Sequence, residues 1–242
     1  HRLSHPRAAD DPYSTSSSMT VGSFAGLSLW LQTTNQVQLK AIGDVMQDLR
    51  QHCPAGSTDE RSPNAPDFEA HATLLAGLKE EDGSPDQIWS RVQEAVRAWA
   101  ASRKSTAGKG AGVNCKLSEV TTRGFFFQCV LAALEDEPSL IDLNKAMRKT
   151  FKKESQPAYF PHVSLLYADI GEDGAREEIA RLRKAGLWEV LQPSAEGQSR
   201  ATLGKEGNGA KPITSVHFTK LSLWDTNGPV AAWKKLEEMD LP

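Results

Sequence analysis

Apolar residues run through this chain in two rhythms. Residues 26–31, Gly-Leu-Ser-Leu-Trp-Leu, alternate apolar and small or bulky side chains, the period-two mark of a strand whose faces differ. From Val37 the period lengthens. Val37, Leu39, Ile42, Val45, Met46 and Leu49 recur at helical spacing behind Asn35, a suitable N-cap. Strand formers return at 68–75, and a helical stripe of Ile88, Trp89, Val92, Val96 and Trp99 follows Ser84-Pro85, a cap with proline at the first helical position. Residues 117–122 and 124–134 read as two strands joined near Arg123-Gly124, with Phe125 and Phe127 on one face and Phe126 and Gln128 on the other. One of those faces must be core, so one set of rings at most reaches a ligand. A helix over 138–153 carries Leu140, Leu143, Met147 and Phe151, a strand covers 160–167, and a helix over 174–184 ends near Gly186. The pattern closes with a strand over 216–224 and a short helix from Pro229 bearing Trp233 and Leu236. Polar stretches rich in Pro, Gly or Lys at 53–66, 104–112 and 194–212 read as loops.

Laid side by side, the halves share one order: strand, helix, strand, helix, strand. This predicts an α+β protein of two similar lobes about a pseudo-twofold axis, with antiparallel sheet inside, helices outside and a cleft between.

The third element of each half carries the same short motif. Residues 68–75 contain His71-Ala72-Thr73, and residues 160–167 contain His162-Val163-Ser164. Positions i and i+2 of a strand point the same way. His71 and Thr73 therefore share a face, as do His162 and Ser164, while Ala72, Leu74, Val163 and Leu165 turn to the core. A single His-x-Thr on a strand is a weak signal. Two copies at matching places in two halves can converge on one small anion. A pair of imidazoles titrating near ~6.5 suits general acid–base chemistry, one deprotonating water and the other protonating a leaving oxygen. The hydroxyls of Thr73 and Ser164 would donate to the non-bridging oxygens of a phosphate. His1, His5, His52 and His217 have no such setting.

Composition narrows the partners. Against 31 acidic residues stand 28 basic ones, a formal charge of -3, which favours a small ligand over a broad nucleic-acid groove. No apolar run reaches the ~20 residues of a membrane span. The residues offer no metal-ligand cluster, and Lys104 to Gly112 lacks the GxxxxGK[ST] spacing of a phosphate loop. Three widely spaced cysteines, Cys53, Cys115 and Cys129, read as reduced thiols, although Cys115 and Cys129 could pair across neighbouring strands. Residues 1–18 read as a disordered leader or tag, and 19–242 as one bilobal domain. Asp10 and Asp11 argue against a transit peptide there. A monomer in the cytoplasm is expected, with a small cyclic phosphate as its partner and no cofactor.

The paired motifs, Ser28-Leu29-Trp30, the run Gly124-Phe125-Phe126-Phe127-Gln128-Cys129-Val130, the run from Pro161 to Asp169, and Gly228-Pro229-Val230-Ala231-Ala232-Trp233 together resemble the two-histidine phosphoesterase superfamily. The resemblance is closest to its cyclic phosphodiesterase branch from plant and fungal tRNA splicing. It spans about Leu27 to Met239, and departs at Ala70, where proline is usual, and in three longer loops. It implies a LigT-like fold and hydrolysis of ADP-ribose 1″,2″-cyclic phosphate to ADP-ribose 1″-phosphate. It also implies conversion of nucleoside 2′,3′-cyclic phosphates to 2′-phosphates. Trp30, Phe127 and Tyr167 are implied as pocket residues. Tyr167 lies five positions after His162, so strict alternation sends it to the far face unless a bulge or the strand's end re-aims it. A phosphodiesterase acting on cyclic phosphate ends of RNA and a non-catalytic nucleotide-binding module are the rival readings.

Overall fold

The computed structural model describes residues 23–53, 65–103, 111–191, 200–207 and 209–242. The predicted leader at 1–18, most of the loops at 53–66 and 104–112, and residues 194–199 and 208 of the loop at 194–212 lie outside the described residues. In chain order the elements are β1 (Ser23–Phe24), β2 (Leu27–Gln32), α1 (Gln36–His52), β3 (Ala72–Leu78), α2 (Pro85–Arg103), β4 (Val113–Thr121), β5 (Val130–Leu134), α3 (Pro138–Thr150), β6 (His162–Leu166), α4 (Gly171–Lys184), β7 (Trp188–Leu191), β8 (Arg200–Leu203), β9 (Ser215–Phe218), β10 (Lys220–Asp225), β11 (Gly228–Pro229) and β12 (Lys234–Asp240). The fold is α+β. Eight strands form an antiparallel sheet in the order β12-β10-β2-β3-β6-β5-β4-β9, and β1-β11 and β7-β8 make two small ribbons.

The sheet halves meet at β3 and β6, through the register pair Ala72↔Val163. Ala72, Leu74, Val163 and Leu165 are buried in the helix-covered core, as alternation requires. The helices cross over to cover it. Helix α1, of the first half, packs on β6, and α3, of the second half, packs on β3. Asn35 caps α1 by accepting from the N–H groups of Val37 and Gln38, and Glu137 caps α3 through the N–H of Leu140.

Several expectations are corrected. The closing strand is two strands, β9 and β10, split at Thr219. β9 pairs with β4 and β10 with β2. Strands one residue apart in sequence thus stand second and last in the sheet order, which requires the sheet to curl until its ends approach. Gln38 holds that junction: its side chain accepts from the His217 N–H at 3.0 Å and donates to the Ser215 carbonyl at 3.1 Å. The predicted C-terminal helix is a single 3-10 turn, Val230–Ala232, followed by β12. Pairing with the free edge of β10 outweighs the weak helical spacing of Trp233 and Leu236. Lys220 bridges to Glu238 at 3.2 Å and Asp240 at 2.9 Å across that pair, and the outer strand is charged, as edge strands commonly are. The phenylalanine run is not strand. Phe126–Gln128 form a 3-10 turn, and β5 begins at Val130. The loop expected over 194–212 contains β8. The three cysteines are free thiols, so Cys115 and Cys129 do not pair.

Candidate active site

His71 directly precedes β3, and His162 is the first residue of β6. The Ala72↔Val163 register, carried one residue either way, sets His71 beside Ser164 and Thr73 beside His162. All four border one cavity, together with Trp30, Phe127 and Tyr167. The structure therefore brings together every candidate residue that the sequence nominates.

Both imidazoles are held by the same local device. His71 Nδ1 lies 2.6 Å from the Glu69 carbonyl, and His162 Nδ1 lies 2.8 Å from the Phe160 carbonyl. A carbonyl only accepts, so each Nδ1 carries the proton and each neutral ring keeps its Nε2 lone pair. His71 Nε2 is met by the Tyr167 hydroxyl at 3.4 Å. His162 Nε2 has no hydrogen-bond partner among the described residues.

A bulge follows each motif at the same place. Leu29 pairs with Leu75 but Trp30 with Thr73, leaving Leu74 as an extra residue. Val130 pairs with Leu166 but Leu131 with Ser164, leaving Leu165 extra. Each bulge resets the alternation. Ala76 and Tyr167, five residues after their histidines, consequently both line the cavity instead of the far face. This answers the parity objection to Tyr167. The same chain position is a methyl group in one half and a phenol in the other.

The hydroxyls differ as well. Ser164 Oγ donates to the Phe127 carbonyl at 3.3 Å, whereas the Thr73 hydroxyl has no partner among the described residues. The Thr73 carbonyl is pinned by the Tyr159 hydroxyl at 3.1 Å, and the Leu74 carbonyl, freed by its bulge, accepts from Asn144 Nδ2 at 2.7 Å.

Aromatic rings pack around these groups. Trp30 lies flat on His71, with centroids 3.5 Å apart and planes within 4°, and Trp224 stacks on the opposite face of Trp30 at 4.1 Å. His162 is backed instead by Phe160 at 5.3 Å, over which Arg123 places its guanidinium at 5.0 Å. Phe127, Phe24 and Trp233 form a collar beside Tyr167, which also stacks on Phe68 at 3.8 Å. Phe24 reaches the collar across a bend in the chain at Gly26. That glycine has φ +107°, and a Cβ there would stand 2.6 Å from the Leu78 carbonyl oxygen. Asn227 Oδ1 accepts from the Gly26 N–H and Thr226 Oγ1 donates to its carbonyl, both at 2.8 Å.

Trp224, Phe24, Phe68, Trp233 and Gln128 are site residues that the sequence reading did not nominate. Trp233 and Gln128 stood inside runs that carried the family resemblance. Trp224 and Phe68 carried no separable signal, being aromatic residues in strand-like runs. Phe127 and Gln128 both border the cavity although adjacent, because a 3-10 turn does not alternate.

Burial governs the electrostatics. Desolvation, assisted by the charge that His162 would carry, pushes His71 down to about 3 against the upward pull of the Glu69 carbonyl. Desolvation also holds His162 below its ordinary range, and the Arg123 guanidinium adds to that. Both imidazoles are thus held neutral near pH 7. Among the described residues no group of three or more His, Cys, Asp or Glu could hold a metal ion, and no helix is long and apolar enough to cross a membrane.

The model of one family, described as cyclic phosphodiesterase-like protein, matches residues 25–241. A cyclic phosphodiesterase of Arabidopsis thaliana is 35% identical over 108 residues, covering 45% of this chain and 52% of that protein, so the match spans about half the length of that relative. A 2′,3′-cyclic-nucleotide 3′-phosphodiesterase of Kluyveromyces lactis is 25% identical over 225 residues, covering 88% of this chain and 98% of that protein. Among solved structures, E. coli LigT complexed with 3′-AMP superposes with a TM-score of 0.46 at 13% identity, over 89% of this chain and 96% of that one.

Proposed function

This chain belongs to the cyclic phosphodiesterase-like protein family, and from that premise we propose that it hydrolyses ADP-ribose 1″,2″-cyclic phosphate to ADP-ribose 1″-phosphate and nucleoside 2′,3′-cyclic phosphates to 2′-phosphates. That it is a phosphodiesterase acting on cyclic phosphodiesters follows from the family and its named relatives. The observation that carries the finer reading is the convergence of His71, Ser164, Thr73 and His162 on one cavity.

His162 acts as base and His71 as acid. Water gives a proton to His162 Nε2 and its oxygen bonds to phosphorus. The bond from phosphorus to the leaving ribose oxygen breaks, and that oxygen takes the proton of His71 Nε2. Thr73 and Ser164 donate to the non-bridging oxygens, each worth ~2–4 kcal/mol in transition-state stabilisation by analogy with oxyanion-hole donors. Two features support this polarity. Arg123 favours the neutral form of His162. The indole face of Trp30, directly under His71, favours an imidazolium there. The negative charge of the bound phosphodiester supplies the rest, raising a pKa that burial has depressed.

The test is product analysis on a panel of cyclic phosphates with EDTA present. The wild type is expected to yield 2′-phosphates and ADP-ribose 1″-phosphate. His71→Ala and His162→Ala are each expected to stay folded and lose about 10²–10⁴-fold in turnover. Full activity in either variant would refute the two-histidine mechanism.

A further inference from the structure

Gln128 borders the cavity and is only 4% exposed. Its backbone is fully employed. The N–H donates to the Phe125 carbonyl at 2.9 Å, and the carbonyl accepts from the Arg123 N–H at 3.1 Å. Those two bonds close the turn. The carboxamide has no hydrogen-bond partner among the described residues.

The other buried amides behave differently. Gln32 donates to Glu69 and accepts from Ser222, Gln38 ties α1 to Ser215 and His217, and Asn144 holds the Leu74 bulge. The Gln128 amide atoms are not among the fully enclosed polar atoms that lack a partner, so they open onto the cavity that the residue borders. An idle donor pair facing a cavity is therefore what a ligand would satisfy.

Among the described residues no Lys or Arg lines the cavity, so of these residues only neutral donors and whichever imidazole takes up a proton can meet an entering phosphodiester. Gln128 follows Phe127, whose carbonyl holds the Ser164 hydroxyl, and all three residues border the same cavity.

We propose that the side-chain NH₂ of Gln128 donates to a phosphate oxygen of the bound substrate, as a third neutral donor beside Thr73 and Ser164. Gln128 is then a catalytic residue, and this role rests on the reading given under Proposed function.

The experiment compares Gln128→Leu and Gln128→Glu with the wild type on adenosine 2′,3′-cyclic phosphate, alongside calorimetric titration with inorganic phosphate. Melting temperatures are recorded for all three. Gln128→Leu is expected to melt like the wild type and to lose about 10²-fold in kcat with a much smaller change in KM. Gln128→Glu is expected to lose more above neutrality, where its carboxylate opposes the phosphate. It is expected to recover part of that loss as the pH falls and the carboxyl becomes a donor, a dependence that a purely structural role would not produce. If both variants keep kcat and KM within threefold of the wild type, the role of Gln128 is overturned while the phosphodiesterase reading stands. If the wild type itself turns over no cyclic phosphate, that reading fails. The Gln128 site is then upheld by phosphate binding that Gln128→Leu abolishes, and overturned by binding that it leaves unchanged.

Discussion

The two histidine strands are built alike and furnished differently. Each carries His-x-Thr or His-x-Ser, an Nδ1 bond to the carbonyl two residues back, and a bulge one residue after the hydroxyl. Around His71 the surroundings are rigid and apolar: Trp30 sandwiched between the imidazole and Trp224, with the Tyr167 hydroxyl at Nε2. Around His162 they are open and charged: half-buried Phe160, exposed Arg123, and Ala76 where the other half has Tyr167. A symmetric scaffold has to do asymmetric work, since a base and an acid need opposite protonation states. The difference in stacking partners is where that symmetry is broken.

The comparison can be probed by truncating each stacking ring. Trp30 is buried on both faces, and Trp30→Ala is expected to cost about 3–5 kcal/mol, read as a large fall in melting temperature. Phe160→Ala, at a half-buried site, is expected to cost much less. Equal losses would mean that the two histidines are supported alike.

A second distinction lies in the bulges. That at Leu74 is fastened by Asn144 from the opposite half. Asn144→Leu leaves a buried carbonyl unpaired and is expected to destabilise by about 1–3 kcal/mol in chemical unfolding. It is also expected to lower kcat, since Thr73 is the residue before that bulge. A stable variant with unchanged kcat would show that the register, and not Asn144, sets the bulge.

The smallest effect concerns pH. Both histidines have folded-state pKa values below the ordinary ~6.5, so the neutral forms persist into mild acid. A depressed histidine binds fewer protons folded than unfolded. Stability is therefore full above about pH 6.5 and falls as the pH drops below it, by up to ~1.4 kcal/mol per unit for each such group. For the same reason the acid limb of kcat/KM, which reports the free enzyme, is expected below pH 6.5. Arg123→Gln removes one cause of the depression at His162 and is expected to move that limb upward by less than a unit. An acid limb left unmoved would mean that His162 is not the base and would reverse the proposed polarity.

Much of this was legible in the sequence because it depended on period. Alternation placed His71 with Thr73 and His162 with Ser164, and sent Ala72, Leu74, Val163 and Leu165 to the core. The repeated order of elements placed the two motifs on equivalent strands. What stayed hidden depended on departures from period or on long-range pairing. Tyr167 reaches the site only because Leu165 is bulged out of register. Phe127 and Gln128 share the cavity only because residues 126–128 turn instead of extending. Trp233 leads into a strand instead of sitting in a helix, since β12 answers an open edge that lies far away in sequence. The break at Thr219 is dictated by β4 and β2, which no local pattern around residue 219 encodes.

The crossed packing of the helices has a consequence for the chain as a folding unit. A cut between residues 103 and 111 would give a first piece with β3 but without α3, and a second with β6 but without α1. Each fragment would show a bare apolar back where its counterpart's helix belongs, and β2 would lack its neighbour β10. The pieces are interlocked, so each should aggregate when expressed alone and regain solubility when the two are made together.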